Sequence, residues 1–138
     1  MVATRRMRPG DAGLLDRVAP DVLDAALDAS RLRAFLNEPG HLLVVALDGG
    51  VVVGQCAGVV HHRLGKAADL YVDEVGTAAT HLRRGVATAM LRELFAWARE
   101  RGCTEAWLAT EADNEAANAL YQGLGSRAGT VRIHEFDL

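Results

Sequence analysis

At 138 residues, 50% hydrophobic and 24% charged, the chain has the make-up of one compact domain able to bury a real core, and nothing in it suggests a second. A formal net charge of -3 argues against nucleic acid as the main partner, since phosphate backbones select basic surfaces. The opening MVATRRMRPGD has no apolar run behind it, and HLLVVAL and VVVGQCAGVV are too short to span a bilayer. The expectation is therefore one domain over residues 1–138, no membrane partner and a cytoplasmic location.

In chain order, residues 2–8 read as a first strand, and Pro9, Gly10 and Asp11 as a turn that starts a helix. Helical character then runs to about Asn37, interrupted at Pro20 and Asp21 and stopped by Glu38, Pro39 and Gly40. Five aspartates, Asp11, Asp16, Asp21, Asp24 and Asp28, crowd this stretch. They form a solvated helix face or a surface that favours a cationic substrate. Two β-branched apolar runs, 41–47 and 51–60, flank Asp48-Gly49-Gly50, a hairpin signal. A further strand is expected over 69–77, with Gly76 as a bulge or a point of close backbone approach.

Val86, Met90, Leu94 and Trp97 recur at helical spacing, with Ala87, Leu91 and Ala98 widening the stripe, which predicts one helix over about 82–101 ended by Gly102. Thr77 or Thr80 is placed to cap its first amides. Arg83 and Arg84 stand at its head, where the helix dipole disfavours cations by roughly 0.3 to 1 kcal/mol. Their placement calls for an anion, and free helix N–H groups bind phosphate. Gly85 and Ala87 let such a ligand approach the backbone.

TEAWLAT (104–110) reads as a buried strand, 114–124 as a second helix, and 130–137 as a closing strand. That order predicts antiparallel strands first and a right-handed crossover afterwards, so that 69–77 and 104–110 lie parallel. The result is an α/β fold, a mixed central sheet flanked by helices on both faces. Cys56 and Cys103 have no partner at metal-ligand spacing and read as ordinary core or near-surface thiols. The adjacent His61 and His62 sit where a strand gives way to a loop, and no metal site is expected.

The residues now carry a resemblance. LRRGVATAML resembles the pyrophosphate loop of the GNAT superfamily N-acetyltransferases: Gly85 and Ala87 fit its pattern, whereas Leu82 fills a position usually held by glutamine or arginine. NEAANALYQGLG resembles that superfamily's later helix through Asn114, Ala117, Leu120, Tyr121 and Gly125, with Ser126 replacing the usual aromatic. The likeness covers nearly the whole chain in order. The strand pair over 42–60, the run LYVDEVGTAATHLRRGVATAML and the short last strand are most similar to small aminoglycoside 3-N-acetyltransferases.

The resemblance implies acetyl-coenzyme A as co-substrate. Its diphosphate would be held by amides of Leu82, Arg83, Arg84, Gly85, Val86, Ala87 and Thr88, and its pantetheine arm would run along Val75, Gly76 and Thr77. Asn114 would touch the arm, and Tyr121 would lie near the thioester sulfur as the acid that protonates the leaving thiolate. For the base, alternation puts Glu74 in phase with Leu70 and Val72, and a desolvated carboxylate can take a proton from an ammonium near neutral pH. Glu74 is favoured over Asp73, a bulge at Gly76 would exchange them, and a salt bridge with Arg63 or Lys66 is the structural alternative for both.

The acceptor implied is a small cationic amine, an aminoglycoside being one candidate. Asp73, Glu74, Glu135, Asp137 and the early acidic stretch suit a polycation, and equally a polyamine or a protein lysine. Leu82 and Ser126, both off pattern, leave open a non-catalytic acetyl-CoA sensor. A nucleotide-binding protein is a weaker alternative, since no Walker lysine follows Gly85. A homodimer is implied by the resemblance and by the sheet edge that a short last strand would leave.

Overall fold

The computed structural model describes residues 1–138. By its internal contacts the chain divides into two compact units, 1–108 and 109–138. The first holds β1 (Val2–Arg6), α1 (Ala29–Asn37), β2 (His41–Asp48), β3 (Val51–His61), β4 (Asp69–Thr77), α2 (Val86–Glu100) and β5 (Glu105–Trp107). The strands form one sheet in the order β1-β2-β3-β4-β5, antiparallel except for the parallel β4–β5 pair. The hairpin at Gly49 and Gly50 and the crossover from β4 through α2 to β5 are as the sequence predicts. Both hairpin glycines take left-handed backbone, φ 57 and 78.

Helix α2 buries Val86, Met90, Leu91, Leu94, Trp97 and Ala98, the predicted stripe, against the sheet. A Cβ on Gly54 would meet Met90 and Val86, and one on Gly58 would meet Leu94 and Leu70. Gly54 and Gly58 of β3 therefore face α2. Gln55 and Gly76, cross-strand partners, lie on the opposite face, where the carbonyl of Val22 would stand 2.1 Å from a Cβ on Gly76. Leu15, Val22 and Leu36, all from residues 9–37, add to the core, and α1 packs against β2. Arg6 of β1 bonds Glu93 and Glu100 of α2, tying the far edge of the sheet to the helix.

The long early helix does not form. A 3₁₀ helix covers Pro9–Asp16, α1 begins only at Ala29, and the stretch between has tertiary employment. Val52 exchanges backbone hydrogen bonds with Arg17 and Ala19 on the side of β3 where β4 has ended, so residues 17–19 extend the sheet instead of coiling. Asp28 caps α1 by accepting from the Arg31 amide.

Strand β5 is shorter than expected, and all three of its residues are exposed, Trp107 at 50%. As the edge strand of this sheet it bonds only to β4. The second unit contains α3 (Glu115–Gly123), capped by Asn114 and ended by Gly125 in left-handed backbone (φ 91). The expected closing strand over 130–137 is not formed, and residues 126–138 have no regular structure. That unit supplies no second strand for a ladder, and apolar alternation slips phase after Ile133, passing from Val131 and Ile133 to Phe136 and Leu138.

Candidate functional site

The predicted phosphate-binding segment is a turn, not the first turn of a helix. Leu82 to Gly85 precede α2, with Arg83 at φ 60 and Gly85 at φ 76. Gly85 is the helix N-cap and has no side chain to offer, so the expected threonine caps are absent: Thr80 bonds its neighbour His81, its Oγ1 2.8 Å from the ring Nδ1. The first helical bond runs from the Ala89 amide to the Gly85 carbonyl. The amides of Val86, Ala87 and Thr88 therefore project from the helix end without intrahelical partners. A Cβ added at Gly85 would meet nothing within 4 Å, so no neighbouring side chain crowds the cap position itself.

Leu82, Arg83 and Arg84 are exposed, and the Arg84 guanidinium reaches back only to the Thr80 carbonyl at 3.4 Å. His81 anchors the turn from behind. Its Nε2 lies 2.7 Å from the carboxylate of Asp48 at the β2–β3 hairpin, and this bond holds the Asp48 carboxyl below its ordinary value. Two arginines at a positive helix end are thus free to turn toward an anion.

Beside this turn the sheet opens. β5 pairs with Asp69, Leu70 and Tyr71 alone, so the later residues of β4, Val75, Gly76 and Thr77 among them, have no ladder partner on that side in the first unit. Extended backbone with unpaired N–H and C=O groups can bond an amide-bearing chain as a further strand would.

The β3–β4 register reverses the expected orientation of the acidic pair. It shifts between Ala57 and Gly58, which pair with Glu74 and Val72, leaving Asp73 without a partner. The bulge is at Asp73 rather than Gly76, and it turns Glu74 away from Leu70 and Val72 onto the face shared with Gln55, Ala57 and Gly76. Asp73 is exposed, whereas Glu74 is half-buried. Its carboxyl is raised above the ordinary value, first by burial and then by the negative charges of Asp24 and Asp73. No basic side chain pairs with it; Arg63 instead faces Asp69 at 3.7 Å and Glu105 at 3.8 Å.

Sequence reading missed Asp24 as a neighbour of Glu74. It also missed Gln55, 2% exposed in an otherwise apolar run, whose Nε2 donates to the Val22 carbonyl at 3.3 Å. A lone amide inside VVVGQCAGVV was the available signal. His61 bonds Asp69, its Nδ1 3.1 Å away, and both cysteines are buried free thiols, with burial pushing Cys56 up to about 12.

Within the second unit, the Asn114 side chain accepts from the Ala117 amide at 3.1 Å as the cap of α3, and Tyr121 is half-buried on the same helix. A surface cleft of about 330 Å³ opens among Glu38, His41, Val60 and Arg101, at the far end of α2 from Gly85. The helix-end amides and the open edge of β4 lie elsewhere.

A helix end bare of side-chain caps, beside a mixed sheet whose parallel pair separates, defines an α/β protein with unpartnered backbone donors at the head of α2. The sequence profile of the Acetyltransferase (GNAT) family matches residues 14–125, and the chain belongs to that family. It is 32% identical over 95 residues to "Probable N-acetyltransferase family 8 member 5" of Mus musculus, an alignment covering 67% of this chain and 41% of that protein. The chain thus spans about two fifths of that relative's length.

In fold it is similar to an aminoglycoside acetyltransferase from an uncultured soil metagenomic sample, HMB0005, at 21% identity and a TM-score of 0.86, covering 100% and 99% of the two chains. It is similar also to AAC(6')-Iy in complex with the bisubstrate analogue CoA-S-monomethyl-acetylneamine, at 16% identity and a TM-score of 0.83, again covering 100% and 99%. A transcriptional regulator from Bacillus halodurans C-125 shares the fold at 23% identity and a TM-score of 0.80, covering 99% and 100%.

Proposed function

We propose that the chain is an acetyl-CoA-dependent N-acetyltransferase that moves the acetyl group to a primary amine of a small cationic molecule, with aminoglycosides the first class to try. The observation that carries this reading is the run of unpartnered amides at the head of α2, flanked by Arg83 and Arg84, beside the open edge of β4. Family membership supplies the identity of the anion that fits. Residues 1–138 are read as a single acetyltransferase domain acting in the cytoplasm.

In this reading the amides from Leu82 to Thr88 would hold the diphosphate, and the backbone of Val75, Gly76 and Thr77 would take the pantetheine amides. Bound in this way, acetyl-CoA supplies an activated acyl carbon. Glu74, whose proton affinity is raised by burial and by the negative charges of Asp24 and Asp73, would take the proton of the incoming ammonium in its carboxylate form, directly or through water, with Asp73 as the second candidate. Attack on the thioester carbon forms the amide bond and breaks the C–S bond, and Tyr121 gives its proton to the departing thiolate. Because a phenol is the weaker acid by intrinsic pKa, position matters more than acidity for that step. Asn114, its side-chain oxygen already committed to the helix cap, has its NH₂ group to offer the cofactor arm.

The structures named for aminoglycoside acetyltransferases support the acceptor class only by likeness of fold. The exposed carboxylates of Asp24 and Asp73 support a cation more generally. A thiol-release assay with acetyl-CoA across aminoglycosides, polyamines, amino acids and peptide amines tests the proposal. Amine-dependent release is expected, whereas cofactor binding without turnover would leave a sensor. Tyr121→Phe should lower kcat about a hundredfold with the acetyl-CoA Kd unchanged, and an unaltered kcat would remove Tyr121 as the acid.

A further inference from the structure

Gln55 is a buried primary amide in the middle of β3, and only half of it is satisfied. Its Nε2 donates to the Val22 carbonyl at 3.3 Å, while its Oε1 is buried with no partner. A half-bonded amide is a cost to a core that valine or methionine would fill without one, and such groups call for an explanation other than stability.

The surroundings supply one. Gly76, opposite Gln55 in register, has no Cβ, and the Val22 carbonyl occupies the place a Cβ would take. Asp21, immediately before Val22, holds left-handed backbone at φ 69. Two residues after Val22 comes Asp24, whose charge is felt at Glu74. Thus one side-chain bond from β3 pins the segment 21–24 across the face that carries Glu74.

We propose that Gln55 is a positioning residue for the acceptor side of the site: by holding the Val22 carbonyl over Gly76 it sets where Asp24 and the segment 21–24 stand relative to Glu74. The inference rests on the acetyltransferase reading above in taking Glu74 as the base, but the geometry it describes does not require turnover. The charged groups that face Glu74 are Asp24 from the segment and Asp73 from β4, while β3 presents the uncharged Ala57 and Gln55 on that face. Releasing the segment hydrates Glu74 and withdraws Asp24. Both changes lower the pH at which Glu74 loses its proton.

The test is Gln55→Met, which keeps the volume and removes the donor, with Gln55→Leu as the second variant should the first fail to fold. Carbon-13 NMR titration of the Glu74 carboxyl should move toward the ordinary carboxylate range, kcat/KM for the amine should fall about tenfold, and the acetyl-CoA Kd should stay within about twofold. Val44→Ala, a core truncation in β2, provides a comparison for lost stability alone and should leave the Glu74 titration in place. An unchanged Glu74 titration in a folded Gln55 variant overturns the inference. Failure of the acetyltransferase reading looks different: the parent protein then shows no amine-dependent thiol release, and the titration still reports whether Gln55 holds the segment.

Discussion

On the face of the β3–β4 pair that meets α2, Gly54 and Gly58 make room for the flexible ends of Met90 and Leu94, and Val72 and Leu70 seal the layer. On the other face, Gly76 makes room for a backbone carbonyl, Gln55 stays half-bonded, and Glu74 is held above its ordinary pKa. Both faces are packed, but only one carries polar groups in unfavourable settings. Apolar packing tolerates adjustment because side chains can rotate, whereas a carbonyl locked over a glycine cannot. Unmet polarity and a perturbed carboxyl gathered on one side of a strand mark the side where the chemistry is expected.

The comparison breaks first at Gly76. Gly76→Ala drives a methyl into the Val22 carbonyl, and we expect a loss of about 3 kcal/mol in chemical denaturation together with the amine-dependent activity. A fully stable, active variant would show that the segment over β4 moves freely. Gly85→Glu probes the helix end beside that strand. Nothing crowds the position, but its left-handed backbone (φ 76) costs a side chain about 1 kcal/mol, so the protein should fold with slightly lower stability, while charge repulsion and lost amide contacts should weaken acetyl-CoA binding about a hundredfold by calorimetry. A retained Kd would move the diphosphate off this turn.

Gly54→Ala, on the α2 face, sharpens the contrast with Gly76. Its new methyl meets the end of the Met90 side chain, which can swing aside, so about 1 kcal/mol is expected with activity kept. The smallest effect is Glu74→Gln read as stability. A carboxyl whose folded pKa is raised binds more protons folded than unfolded, so its contribution to stability falls as pH climbs from the ordinary glutamate value through the raised one. The variant should match the parent below that window and be slightly more stable above it, while its rate profile loses the rise assigned to the base. Parallel stability curves for the two proteins would mean that Glu74 is not perturbed.

Much of this was legible in residue order. The period of α2, the hairpin at Gly49 and Gly50, the parallel β4–β5 pair and Gly76 as a close approach follow from side-chain spacing and glycine chemistry. The early helix was not legible, because residues 17–19 spend their backbone hydrogen bonds on Val52, a partner distant in the chain. Nor was the direction of Glu74, which depends on a single extra residue in β4. Alternation fixes faces only while the register holds, and one bulge inverts every assignment beyond it.

The chain alone determined an amphipathic helix with two arginines and a glycine at its head, because helical period and the sign of a helix end are local matters, whereas the turn that Leu82 to Gly85 form before it and the missing threonine cap came from the fold. Only the tertiary structure decided which carboxylate lies buried, that Asp24 comes to stand near it, and that Gln55 holds the segment between them. Those facts depend on register and on contacts across many residues, where a shift of one position changes the neighbour and with it the charge.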